Sequence, residues 1–230
     1  RFSGALVRWL LPLTIVLLCV GAFWGLLIAP PDFRQGNSYR IIYVHVPASV
    51  VALVGYYVMA FAGAVSLIWR IKMADVTMRA AAPVGAALTV IALFTGAIWG
   101  KPTWGAWWVW DARITSMLLL LFLYLGVVAL FDAYENKTAA ARACAVVSLI
   151  GTVNIPIIYK SVDWWYSLHQ PASIKFTGES AIDSSMLYPL LLMIAAFYCL
   201  FVVAVLLNMR AEVLWRHRES GWVQQMVEGG

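Results

Sequence analysis

Three histidines, His45, His169 and His217, are the side chains here best suited to ligating a transition metal through a neutral nitrogen. His217 lies between Arg216 and Arg218, where a solvated or headgroup-facing cluster explains it without a site. The other two stand near concentrations of tryptophan. Five of the twelve tryptophans fall between positions 99 and 113, most of them in Trp104-Gly105-Ala106-Trp107-Trp108-Val109-Trp110-Asp111. Trp164 and Trp165 stand shortly before His169. Each tryptophan brings about 150–250 Å² of apolar surface and an indole N–H that still needs a partner. A flat, apolar ligand with polar edges suits such a surface. A belt of aromatic residues at a membrane–water interface, with no ligand, is the plain alternative. Against it, Trp104, Trp107 and Trp108 have the i, i+3, i+4 spacing of one helical face, with Gly100 and Gly105 leaving room beside them. The same spacing at Trp165, Leu168 and His169 predicts a second short interfacial helix.

The elements that carry these residues follow from composition. Of 230 residues, 63% are hydrophobic and only 12% charged, and mean hydropathy is +0.83. Those values exclude an ordinary soluble domain. The charged positions leave apolar stretches at about 9–29, 46–69, 82–100, 114–131, 143–159 and 184–209, each of roughly 17 residues or more and able to cross a ~30 Å hydrocarbon core. The fold class expected is therefore an all-α membrane protein, a single domain of six transmembrane helices with short interfacial helices in its outer loops. Six spans put both termini on one side. That side carries ten of the sixteen Lys and Arg; the other carries Arg34, Arg40, Lys101, Arg113, Lys160 and Lys175. The excess places both termini in the cytoplasm. The net charge of +5 is explained by these loop residues, so nucleic acid is not an expected partner and membrane lipid is.

Other features narrow the class. Cys19, Cys144 and Cys199 all fall in predicted spans, and no Cys-x-x-Cys occurs, so no disulfide framework and no covalently attached c-type haem is expected. The first span is too long for a signal-peptide core and lacks a small-residue cleavage site, so it is kept as a helix. The chain opens on Arg1, and its native start is expected to be missing. No phosphate-binding Gly-x-x-x-x-Gly-Lys-Ser/Thr motif is present, so the chain is not expected to hydrolyse a nucleotide, nor to be an enzyme. Pro47 suits the first turn of the second span, placing His45 at its outer mouth. Asp111 reads as the N-cap of the fourth span. Asn154 and Pro156 at membrane depth suit either the lining of a cavity or groups that neighbouring helices satisfy, and Asn154 is assigned no site role.

Threading six spans collects His45, the segment 101–113, and the loop 160–183 with Trp164, Trp165 and His169 on one outer face. Two imidazoles from separate elements can approach a porphyrin iron from opposite sides while tryptophans pack on the ring. Candidate cations for its two carboxylates are Arg40, Lys101 and Arg113, with Lys175 also on that face. Proton relays and ion-coupled pathways place ionisable groups deep in the membrane, and the six apolar stretches contain no Asp, Glu, Lys or Arg. A membrane b-type cytochrome exchanging electrons with quinone is the alternative from another class, but it would hold haem by histidines at mid-depth. A permease subunit without a cofactor is a third.

The string Trp104 to Asp111, with Gln35 to Pro47, Gly100-Lys101-Pro102 and Trp164-Trp165 through His169-Gln170, resembles the WWD-domain haem-handling proteins of bacterial cytochrome c maturation. Six spans match the CcmC, or haem exporter protein C, family of system I in particular. The resemblance implies that non-covalent haem b is presented at the periplasmic face of the inner membrane. His45 and His169 would be its axial ligands, with Trp104, Trp107, Trp108, Trp110, Asp111, Trp164 and Trp165 forming the platform. It further implies delivery to the haem chaperone CcmE, with CcmD and the ATP-binding cassette pair CcmA and CcmB as partners. ATP hydrolysis would belong to that pair.

Overall fold

The computed structural model describes residues 2–165, 167–169 and 182–228. Among these the structure is helical, with one isolated backbone bridge between Asp32 and Gly36. α1 (Phe2–Phe23) runs on through a wider turn at Trp24–Ile28. A tight turn at Asn37–Ile41 leads into α2 (Ile42–Trp69). Then come α3 (Lys72–Trp104), α4 (Ala112–Ala133), α5 (Lys137–Gly151), α6 (Asn154–Trp164), α7 (Ser184–Arg216) and α8 (Gly221–Glu228). Six helical segments are long and apolar enough to cross a membrane: Gly4–Ile28, Asn37–Trp69, Lys72–Trp104, Ala112–Ala133, Lys137–Trp164 and Ser184–Arg216. The six expected spans are thus present, but most overrun the apolar stretches that predicted them. Charged residues such as Lys101, Arg113 and Arg216 sit in terminal turns, where a long side chain reaches the interface while its backbone stays helical.

α2 and α3 pack as the central pair, α7 crosses both, and α1 lies outside against α7. The core between them contains polar groups, and several find a partner within the bundle, whereas the buried Tyr43 hydroxyl has none. Tyr124 on α4 donates to the Ala52 carbonyl of α2 at 2.7 Å, and its ring meets Tyr56 edge-on at 5.1 Å. Such pairing offsets the cost of burying a polar group where no water competes. The fifth span breaks after Gly151 because Pro156 has no N–H to continue the ladder. Asn154 beside the break donates to the Ser116 carbonyl of α4 at 2.9 Å, so of the two readings a neighbouring helix satisfies it.

α2 begins earlier than expected. Pro47 is buried inside it as its sixth residue, and His45 is a half-buried helical residue rather than one at the mouth. A proline this early removes only one bond from the first turns, and its fixed φ suits the helix.

Candidate functional site

The C-terminal ends of α1, α3 and α6 and the N-terminal ends of α2, α4 and α7 meet at one end of the bundle. α3 delivers the tryptophan-rich segment there and stops at Trp104. Gly105 then takes the left-handed conformation (φ +80°) and donates to the Lys101 carbonyl at 3.1 Å, a conformation that favours glycine. Residues 105–111 are non-helical. The helical face expected for Trp104, Trp107 and Trp108 therefore does not form: Trp104 ends a helix and the other two lie in the loop beyond it. The second expected helix fails as well, since α6 ends at Trp164 and residues 165 and 167–169 are bends and coil.

A loop replaces the helical platform. Trp104 still faces one histidine, its ring 4.8 Å from that of His169. Trp108 and Trp110 stack edge-on at 5.3 Å, and Trp164 and Trp165 at 5.7 Å. Trp107, Trp110, Trp164 and Trp165 are exposed, whereas the Trp108 Nε1–H is buried without a hydrogen-bond partner.

The histidines are held by unlike means. On α2, His45 sets Nδ1 3.0 Å from the Ala92 carbonyl and 3.1 Å from the Thr95 hydroxyl of α3. Its ring meets Trp99 at 5.6 Å. Gly96 makes room for it, since a Cβ there would stand 3.0 Å from His45 Cε1. Trp99 in turn donates to Gln35 Oε1 at 2.6 Å. His169 is held by loop residues: its Nδ1 lies 3.1 Å from Asp111 Oδ2, which also accepts from the Ser167 hydroxyl at 2.5 Å. Asp111 Oδ1 meanwhile accepts from the Ile114 N–H at 2.8 Å. Asp111 is thus the N-cap the sequence predicts and an anchor for His169 as well.

Charge follows from these contacts. Burial holds the His169 imidazole below the ordinary histidine value against the opposing pull of Asp111, so the ring is neutral at pH 7. Burial pushes the Asp111 carboxyl up, but the donors from Ile114, Ser167 and His169 outweigh it and keep the group ionised. An ionised Asp111 accepts a hydrogen bond from His169 Nδ1–H, and the Ala92 carbonyl accepts one from His45 Nδ1–H. In each ring Nδ1 keeps its proton and Nε2 is left with its lone pair and, among the described residues, without a hydrogen-bond partner. The His169 imidazole and the Arg113 guanidinium stand close enough to act on His45 electrostatically, and Arg113 acts on His169 too.

The expected cations differ in what they already hold. Arg40 donates to the Leu26 and Ala29 carbonyls at the end of the first span. Lys101 donates to the Gly105 carbonyl at 3.1 Å. Arg113 donates to Ser161 Oγ at 3.2 Å and the Tyr159 carbonyl at 3.3 Å. Lys175 lies outside the described residues.

The family model for heme exporter protein C (CcmC) matches residues 1–224. The chain belongs to the CcmC family. It is 46% identical over 227 residues to Heme exporter protein C of Escherichia coli K12, covering 99% of this chain and 91% of that one. It is 48% identical over 218 residues to the Bradyrhizobium diazoefficiens protein of the same name, covering 95% and 82%. To that of Paracoccus denitrificans it is 40% identical over 214 residues, covering 93% and 88%. In this CcmC-family chain Thr95, Gly96, Trp99 and Ser167 join the histidine surroundings without having been singled out as site residues. Gly96 and Gly100, one turn apart with Trp99 between them, were the available signal for the first three. Nothing in the local pattern marks Ser167.

Proposed function

We propose that this outer end binds haem b non-covalently, with iron between Nε2 of His45 and Nε2 of His169, and offers it to a partner protein. The observation that carries this reading is the shared preparation of the two rings. Each comes from a different element, each has Nδ1 engaged by a fixed acceptor, each touches a tryptophan, and neither Nε2 has a hydrogen-bond partner among the described residues. Neutral imidazoles with the second nitrogen so held are oriented for ligation. The exposed Trp107, Trp110, Trp164 and Trp165 supply apolar rims for the macrocycle, and Trp108 offers an unpaired N–H. Arg113, in range of both imidazoles, is the foremost partner for a propionate. Lys101 follows, and Arg40 would have to release helix carbonyls to serve.

The name shared by the relatives supports haem as the cargo. The family resemblance supports CcmE as the acceptor, with CcmD and the CcmA–CcmB pair as partners, in the inner membrane with the site facing the periplasm. Haem here is cargo, and the chain positions it without chemical change.

The test is the visible spectrum of purified protein, oxidised and reduced, beside His45→Ala and His169→Ala. A low-spin bis-histidine spectrum that becomes high-spin or vanishes in both variants is the expected result. A spectrum indifferent to both would end the axial assignment. Stable cycling at a defined potential with a quinone-dependent rate would instead indicate electron transfer.

A further inference from the structure

The contacts around His169 form a closed ring in which one small side chain takes part twice. The Ser167 hydroxyl donates to Asp111 Oδ2 at 2.5 Å and accepts from the backbone N–H of His169 at 3.1 Å. His169 Nδ1 returns to the same Oδ2 at 3.1 Å. The carboxylate is almost sealed, with 6% of the Asp111 side chain exposed and 16% of that of His169. Ser167 Oγ lies 3.5 Å from His169 Nδ1, too far for a good bond to it. The hydroxyl therefore acts on the imidazole through the carboxylate and through the backbone.

We infer that Ser167 is a positioning residue for His169, fixing both the direction of its ring and the nitrogen that carries its proton. This inference rests on the haem-ligand reading above and adds what makes one of the two ligands competent. Two consequences follow from the geometry. Donation by Ser167 satisfies one lone-pair site of Oδ2 and leaves another aimed at Nδ1, so the Nδ1–H tautomer is the one stabilised. Its acceptance from the His169 N–H pins the backbone where no helix does so. His45 needs no such device, because two packed helices and a backbone carbonyl fix it.

The test compares Ser167→Ala, Ser167→Val and Ser167→Thr in the full chain, first without haem. With only three histidines, imidazole-¹⁵N labelling reads the tautomer of each ring by NMR. The expected result is that His169 loses its Nδ1–H signature in the Ala and Val variants and recovers it in Thr, which restores the hydroxyl. His45 is unchanged throughout. Haem titration then reads about tenfold weaker retention in Ala and Val, the usual range for loss of a residue behind a metal ligand, with Thr close to the parent. If either Ala or Val leaves the His169 tautomer unchanged, the inference is overturned. The same follows if Thr behaves like its isostere Val, which also decides the matter should Ala fail to fold. Haem binding indifferent to His169→Ala would overturn the axial reading alone, because the tautomer measurement needs no haem.

Discussion

Asp111→Asn separates two jobs that one side chain performs. Oδ1 caps α4 by accepting from Ile114 at 2.8 Å, and Oδ2 accepts from Ser167 at 2.5 Å and stands 3.1 Å from His169 Nδ1. Asparagine caps a helix about as well as aspartate. It retains one acceptor oxygen, so with the cap kept, the position of Oδ2 becomes an amide NH₂ that cannot accept from Ser167 or His169. Hydrogen bonds to a charged group contribute about 1.5–3 kcal/mol each, but the part that appears in haem binding is the loss of ligand orientation. Groups behind a metal ligand typically account for about 10–100-fold in affinity, or roughly 1.4–2.8 kcal/mol. Asp111→Asn should therefore weaken haem binding by one to two orders of magnitude in an absorbance titration. Asp111→Ala should add the loss of the cap, about 1 kcal/mol of stability, visible as a lower thermal midpoint than that of Asn. Haem affinity of Asp111→Asn within twofold of the parent would refute the anchoring role. Equal midpoints for Asn and Ala would refute the separation of cap from anchor.

Acidification should act on this site with a defined sign. Both Asp111 and His169 sit below their ordinary values, so the folded state binds fewer protons than the unfolded one. Their contribution is complete above the unfolded histidine value of about 6.5 and declines as pH falls below it, with Asp111 adding a second loss further into acid. Stability measured from pH 8 to pH 4 should fall less steeply in His169→Ala than in the parent. Gly96→Ala would place a methyl 3.0 Å from His45 Cε1. It should weaken haem binding without lowering the helix content seen by circular dichroism, and an unaltered haem spectrum and affinity would count against the placement of His45. Trp108→Phe removes the buried, unpartnered Nε1–H and keeps an aromatic ring against Trp110. Thermal stability should hold or rise slightly while haem affinity falls, and unchanged affinity would show that this N–H is not a ligand donor. At the other end of the bundle, Arg79 binds Glu212 at 2.8 Å and Asp132 at 3.0 Å. Arg79→Ala should cost about 1–3 kcal/mol of stability, reduced by partial exposure, and leave haem affinity as it was.

The six spans were legible because membrane crossing depends on long apolar stretches, and charge is the strongest mark against them. Their ends were less so. Lys101 closes the last turn of α3, and Arg113 stands in the first turn of α4, so a reading that stops a span at its first charge cuts each helix short. The entry of α2 was misread for a related reason. Proline is favoured at a helix start, which sets the expected entry beside Pro47, but a proline anywhere in the first turns loses little. The backbone turn at Asn37–Ile41 had already begun the helical path.

The site shows why residue types were readable while local geometry was not. Trp104, Trp107 and Trp108 have helical spacing, and spacing alone cannot register that Gly105 interrupts the run by turning left-handed. By residue type the glycine offers room beside the tryptophans, whereas its φ of +80° makes it the helix stop. The consequence reaches Asp111. Because α3 ends at Trp104, the chain has a loop of freedom before α4 begins, and that loop lets Asp111 cap α4 with one oxygen while turning the other toward residues 167–169. In sequence the two roles compete, since a carboxylate before a helix is explained by the cap alone. In three dimensions they use different oxygens, and each strengthens the other: the cap fixes the carboxylate that Ser167 and His169 require.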